Sequence, residues 1–137
     1  MFERIQFLPL GVFMKKIILL FAAVLVFGFE SMPATVANIK KLIAEHIPIV
    51  DIRTPDEWMQ TGVIPGAIKD TFFDRYGRVN SNFLRKLHGI KKFAVICRTG
   101  HRSKLVAEIL EKNGMQVIDL EGGMFYLMKD MLHKEFK

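Results

Sequence analysis

The chain contains one cysteine, Cys97, in the run Cys97-Arg98-Thr99-Gly100-His101-Arg102-Ser103. The apolar stretch Phe93-Ala94-Val95-Ile96 leads into it, and Lys104 to Leu110 follows with helical patterning. A strand ending in a thiol, a short loop with a glycine and two arginines, and a helix N-terminus bring backbone N–H groups and positive charge to one sulfur. Such surroundings lower a thiol's pKa from about 8.5 by one to several units and make it a nucleophile. A cysteine on an arbitrary strand is more simply a small buried hydrophobe. Here Arg98, Gly100 and Arg102 favour the reactive reading. With no second cysteine, an internal disulfide is excluded.

Such a loop needs a scaffold, and the pattern around it supplies one. Val36 to Glu45 places Ile39, Leu42 and Ile43 on one face, as an amphipathic helix does. Ile47 to Ile52 reads as a buried strand. Thr54-Pro55-Asp56-Glu57 is a helix start with threonine N-cap, proline at N1 and glutamate closing a capping box. That helix stops at Gly62, and Val63 to Ile68 reads as a turn feeding a second strand. Asn80 or Ser81 can cap a helix to Leu87. Phe93 to Ile96 is a third strand, Ser103 to Asn113 a helix closed by Gly114, and Gln116 to Leu120 a fourth strand. Gly122-Gly123 makes a turn before a last helix, Met124 to Lys134. Alternating apolar strands and helices imply an α/β fold, a central parallel sheet flanked by helices on both faces. Ligands bind beyond the carboxyl ends of such strands, where Asp51, Cys97 and Glu121 fall.

The N-terminus has a different character. Ile17 to Phe29 carries no charge and follows Lys15 and Lys16. A basic start and an apolar run shorter than the roughly 17–25 residues of a membrane span read as a secretory signal peptide. Residues 1–31 are assigned to this leader or to an N-terminal membrane anchor, and 32–137 to the folded domain. No cleavage site is well marked, and Met14 would be a more ordinary start. The expected location is exported and periplasmic, with membrane association only if the leader stays uncleaved. The chain carries a net charge of +6. Its basic pairs, Lys40-Lys41, Arg85-Lys86 and Lys91-Lys92, lie far apart, so no nucleic-acid-binding stripe is expected. His46, His88 and His133 lack metal-ligand spacing to one another or to Cys97, and neither metal nor cofactor is expected.

The Cys97 to Ser103 loop resembles the active-site loop of single-domain rhodaneses, the sulfurtransferases. Val50 to Trp58 looks like that family's Asp-Val-Arg-x-x-x-Glu-Tyr/Trp segment, Gly62 to Ile68 like its Gly-His-Ile-Pro-Gly-Ala, and Leu120 to Met124 like its Leu-x-Gly-Gly element. Val63 stands where the family often has histidine, and Leu127 near a position often held by tryptophan. The resemblance implies that Cys97 takes sulfane sulfur from a small anionic donor such as thiosulfate or polysulfide. The resulting persulfide passes it to a thiol, sulfite or protein acceptor.

Within that reading, successive N–H groups would cradle the terminal sulfur, with Gly100 permitting the tight path. Arg102 would turn back to brace the loop or meet the donor's anionic group, while Arg98 and His101 sit on the rim. Thr99 and Ser103 can donate hydroxyl hydrogen bonds, Ser103 also as a helix cap. Asp51 and Arg53 fit either support of the loop from behind or a structural ion pair. Glu57 is accounted for by its capping box. Two alternatives use the same fold: a non-catalytic binding module, and a cysteine-based phosphatase or arsenate reductase. The cell-cycle dual-specificity phosphatases resemble rhodaneses in fold, but their loop has arginine six residues after the cysteine. Here that position is Ser103.

Overall fold

The computed structural model describes residues 29–135. Five strands form one sheet in the order β1-β5-β4-β2-β3. They are β1 Glu30–Pro33, β2 Ile49–Asp51, β3 Ile68–Lys69, β4 Lys92–Ile96 and β5 Gln116–Glu121. Every neighbouring pair is parallel. Four α-helices accompany them: α1 Val36–Ala44, α2 Pro55–Thr61, α3 His101–Lys112 and α4 Gly123–Glu135.

The two-residue period of β4 divides the core into two layers. Phe93, Val95 and Cys97 face one side, with Val106, Ala107 and Leu110 of α3 and the aromatic pair Phe72 and Phe83. Ala94 and Ile96 face the other, against Ile39 and Leu42 of α1 and Met124 and Leu127 of α4. Burial on both faces explains why the central strands are continuously apolar.

The helix starts follow from local chemistry. Thr35 caps α1 by accepting the Asn38 N–H at 3.2 Å. The carboxylate of Asp130, from α4, accepts the Val36 N–H at 2.8 Å and ties the two helices together. The capping box of α2 forms as expected, with Glu57 Oε2 accepting the Thr54 N–H at 3.0 Å. Gly114, in the left-handed region, ends α3.

Three elements differ from expectation. The edge strand β1 is new. Glu30-Ser31-Met32-Pro33 has no apolar run, and it becomes a strand because the long β5 offers it a ladder from Ile118 to Glu121. The expected boundary after residue 31 falls inside this strand, while most of the expected leader, residues 1–28, lies outside the described residues. The strand expected from Ile47 is confined to Ile49–Asp51; Pro48 has no N–H to give, and only its carbonyl joins the ladder, accepting the Ala94 N–H at 2.8 Å. The helix expected before Leu87 is a 3₁₀ turn, Phe83–Leu87. Asn80 does not cap it directly. Its amide donates to the Thr71 carbonyl at 2.9 Å and its oxygen accepts the Asn82 N–H at 3.0 Å, pinning the preceding loop.

Candidate active site

Cys97 follows the last residue of β4 and is fully buried. Its sulfur accepts the Gly100 N–H at 3.0 Å, and the Ser103 hydroxyl oxygen lies 3.4 Å away. The thiol is therefore both part of the packed layer and held by polar groups at the head of α3. Of the loop's N–H groups, that of Gly100 is the one that meets the sulfur.

A second segment holds the loop in place. The Met124 N–H donates to the Cys97 carbonyl at 2.9 Å and the Phe125 N–H to the Arg98 carbonyl at 3.0 Å. The first turn of α4 thus grips the two successive main-chain carbonyls that follow the thiol-bearing carbon. Gly123 makes this grip possible. Its φ is +59°, and an added Cβ would lie 2.5 Å from the Cys97 carbonyl oxygen. Gly123→Ala should cost at least about 1–2 kcal/mol from the left-handed backbone alone, with the overlap adding to it. A urea titration against wild type measures the loss, and an unchanged midpoint would contradict this packing. The sequence marked Gly122-Gly123 as a turn, but gave no sign that it closes on the cysteine loop.

Arg102 braces rather than waits for a ligand. Its guanidinium grips the Glu57 carboxylate with Nη1 to Oε2 at 2.9 Å and Nη2 to Oε1 at 2.5 Å. The hydrogen bonds to Glu57 raise the Arg102 pKa against the cost of its partial burial. Glu57 therefore does more than close a capping box: it joins α2 to the first turn of α3. The Arg102 hydrogen bonds, aided by the Thr54 N–H and opposed by burial, lower the Glu57 pKa from 4.5 to about 2.

A carboxyl group whose folded pKa lies below its unfolded one stabilises fully above the unfolded value. That contribution is lost as pH falls through the folded value. The brace should hold above about pH 4.5 and fail towards pH 2. Glu57→Gln should flatten that part of the stability–pH curve in urea titrations, and an equally steep curve in the variant would remove Glu57 from this role.

Asp51 and Arg53 form a buried ion pair at 2.7 Å. The Arg53 guanidinium also donates to Thr61 Oγ1 at 2.6 Å and to the Gly62 carbonyl at 2.8 Å, fastening the end of α2 to the end of β2. The pair is structural, and it supports the loop through α2, Glu57 and Arg102. Arg98 and His101 are exposed. Thr99 turns its hydroxyl to His101 Nδ1 at 3.1 Å, away from the sulfur. Ser103 is not the helix cap, since Gly100 holds that position and α3 begins at His101. Its hydroxyl donates to the Gly100 carbonyl at 3.2 Å.

Arg98, Glu57 and the apolar Met124, Phe125 and Met128 line a cavity of about 130 Å³ between α2 and α4. Among the described residues no three His, Cys, Asp or Glu side chains gather as a metal site.

A parallel α/β sheet with a cysteine past a central strand, bound by the N–H of an arginine-bearing loop at a helix head, defines a class of thiol-centred domains. The rhodanese-like domain family matches residues 35–129, and the chain belongs to that family. A Bacillus subtilis (strain 168) protein named "Putative sulfurtransferase YtwF" is 33% identical over 80 residues, 58% of this chain and 72% of that protein. The crystal structure of a rhodanese-like domain protein from Staphylococcus aureus superposes with a TM-score of 0.55 at 27% identity, covering 72% of this chain and 90% of the other. A Rhodopseudomonas palustris CGA009 protein of unknown function, described as a possible tyrosine phosphatase, gives a TM-score of 0.53 at 30% identity. That match covers 69% of this chain and 76% of the other.

Proposed function

We propose that the protein is a sulfurtransferase that carries sulfane sulfur as a persulfide on Cys97. The observation that carries this reading is the Gly100 N–H bond to Sγ at the head of α3, with a cationic Arg102 braced nearby. The Cys97 thiolate attacks the outer sulfur of an anionic donor such as thiosulfate or polysulfide. A new S–S bond forms, the donor's S–S bond breaks, and the leaving group, sulfite in the case of thiosulfate, departs with the electron pair. A thiol, sulfite or protein acceptor then attacks the outer sulfur, and Cys97 leaves as thiolate. The acceptor must be external because the chain has no resolving cysteine.

The buried position of Sγ requires the exposed Arg98–Thr99 stretch to shift when a donor enters. The positive charge of Arg98 at the mouth suits an anion, and the cavity beside it suits a small one. The helix dipole and loop N–H groups favour the anionic terminal sulfur of the persulfide.

Incubation with thiosulfate or polysulfide followed by cyanolysis tests the reading. Release of about one thiocyanate per chain is expected, for one reactive thiol. No release with any donor would favour a binding module instead. The phosphatase alternative draws on the name of the Rhodopseudomonas palustris neighbour. Arg102, five residues after Cys97 and committed to Glu57, is poorly placed to hold phosphate oxygens. Rapid hydrolysis of a phenyl phosphate would reverse that judgement. We also propose export, on the basic-then-apolar pattern of residues 15–29. Fractionation of the expressed full chain tests it, with retention in the cytoplasm as the contrary result.

A further inference from the structure

The cavity of about 130 Å³ between α2 and α4 offers a ligand one unspent charge and an apolar wall. On the α2 side the charged residues are already engaged. Arg53 is held by Asp51, by Thr61 Oγ1 and by the Gly62 carbonyl. Glu57 is gripped by Arg102, and the Thr61 hydroxyl donates in turn to the Glu57 carbonyl at 3.2 Å. The remaining polar residue there, Gln60, is uncharged. Arg98 is exposed and, among the described residues, its guanidinium forms no ion pair. The α4 side is Met124, Phe125 and Met128. Phe125 is 69% exposed and Met128 42%, so a ring and a thioether stand open to water at the edge of the cavity. Single exposed apolar side chains are ordinary, but adjacent ones beside a cavity mark a binding surface.

That wall is tied to the thiol. The N–H groups of Met124 and Phe125 hold the carbonyls of Cys97 and Arg98, so a group resting on these side chains rests beside the reacting loop. Thiosulfate, a strongly hydrated dianion, would find one cation there and lose water from its other oxygens against apolar surface. A monoanion with an apolar body fits better, its charge on Arg98 and its body on α4. Thioethers and an aromatic ring adapt well to an aromatic body. A cavity of about 150 Å³ admits benzene, and about 130 Å³ has room for a single ring. We infer that the favoured donor is an organic thiosulfonate, R–SO₂–S⁻ with an aromatic R, and that Phe125 and Met128 select it; this rests on the sulfur-transfer reading.

The Cys97 thiolate attacks the outer sulfur of the thiosulfonate, and its electron pair forms the new S–S bond. The bond between the outer and sulfonyl sulfurs breaks, and the sulfinate R–SO₂⁻ leaves with that bond's electron pair. The outer sulfur keeps its negative charge and stays on Cys97 as the persulfide, so the step needs neither an oxidant nor a proton. Arg98 meets the sulfonyl oxygens of the donor and then of the departing sulfinate, while R keeps its place against Phe125 and Met128. Thiosulfate undergoes the same step with sulfite as the leaving group, but without the contact to α4.

The test compares benzenethiosulfonate with methanethiosulfonate, which share the reacting group and differ in R. Each kcat/KM for sulfur loading of the full chain is divided by that donor's rate with a free small thiol, which removes intrinsic reactivity. The corrected values should favour the phenyl compound about tenfold. Phe125→Ser and Met128→Ser should each pull that ratio towards one, whereas Arg98→Gln should slow both donors about tenfold and keep the ratio. The ratio is taken within one protein, so a variant with fewer competent molecules still reports it. A wild-type ratio near one, or a tenfold ratio that survives both α4 substitutions, overturns the inference and leaves sulfur transfer standing. A second measurement needs no transfer. Benzenesulfonate, which has no outer sulfur, is titrated into the protein by NMR beside methanesulfonate. It should bind about tenfold more tightly and shift the signals of Phe125 and Met128. Equal binding of the two sulfonates overturns the inference. The expected preference in a protein that no thiosulfonate loads would instead fault the sulfur-transfer reading and leave the ligand class standing.

Discussion

Cys97→Ala is expected to abolish the proposed uptake of sulfur while leaving the protein folded. Wild type exposed to thiosulfate or polysulfide should gain the mass of one sulfur atom, and the variant none, by intact-mass spectrometry. The whole effect is expected at one atom because no other thiol exists in the chain to accept the sulfur. Cys97 is fully buried in the layer that also contains Val95 and Val106. Loss of its Sγ therefore leaves a small void, costing about 1 kcal/mol. That is a small fraction of the roughly 5–15 kcal/mol of a typical domain, so the variant remains a fair comparison. A sulfur gain that persists in Cys97→Ala would end the persulfide assignment.

Arg53→Met should be the most destabilising single change on the site's supporting side. The substitution keeps much of the side chain's apolar length and removes the charge. Asp51, fully buried, then loses the guanidinium that meets both of its carboxylate oxygens. Removing one partner of a buried pair costs about 3–5 kcal/mol, because the remaining charge has neither water nor counterion. The Thr61 and Gly62 acceptors at the end of α2 lose their donor as well. The double variant Asp51→Asn, Arg53→Met should recover part of the loss, since the stranded charge is gone. Urea titration of both variants measures this, and a loss below about 1 kcal/mol in Arg53→Met would show the pair to be dispensable. Sulfur loading should fall in the same variant, because α2 carries the Glu57 side of the brace on Arg102.

These two outcomes separate the reacting atom from the frame that holds it. Both depend on contacts of different range. The ion pair spans two residues, and its two members were visible together in Asp51-Ile52-Arg53. What could not be read was whether the pair would be buried, since that depends on β2 lying between β4 and β3. Burial decides whether breaking the pair costs several kcal/mol or almost nothing.

The same distinction holds for the loop. The sequence alone determined the alternation of helix and strand, the start of α2, the end of α3, the position of Cys97 at the end of a strand, and the family resemblance. Each of these rests on local chemistry: a capping oxygen, a glycine that tolerates positive φ, a run of apolar side chains buried on both faces. Tertiary structure alone decided that Arg102 bonds Glu57, 45 residues away. It also decided that Gly123 closes on the Cys97 carbonyl, and that Glu30–Pro33 becomes a strand. It set the Ser103 hydroxyl, expected as a donor or a helix cap, 3.4 Å from the Cys97 sulfur. Those assignments depend on which elements are neighbours in the sheet and how closely their backbones approach. A partner supplied from across the fold leaves no local signature in composition, capping or periodicity.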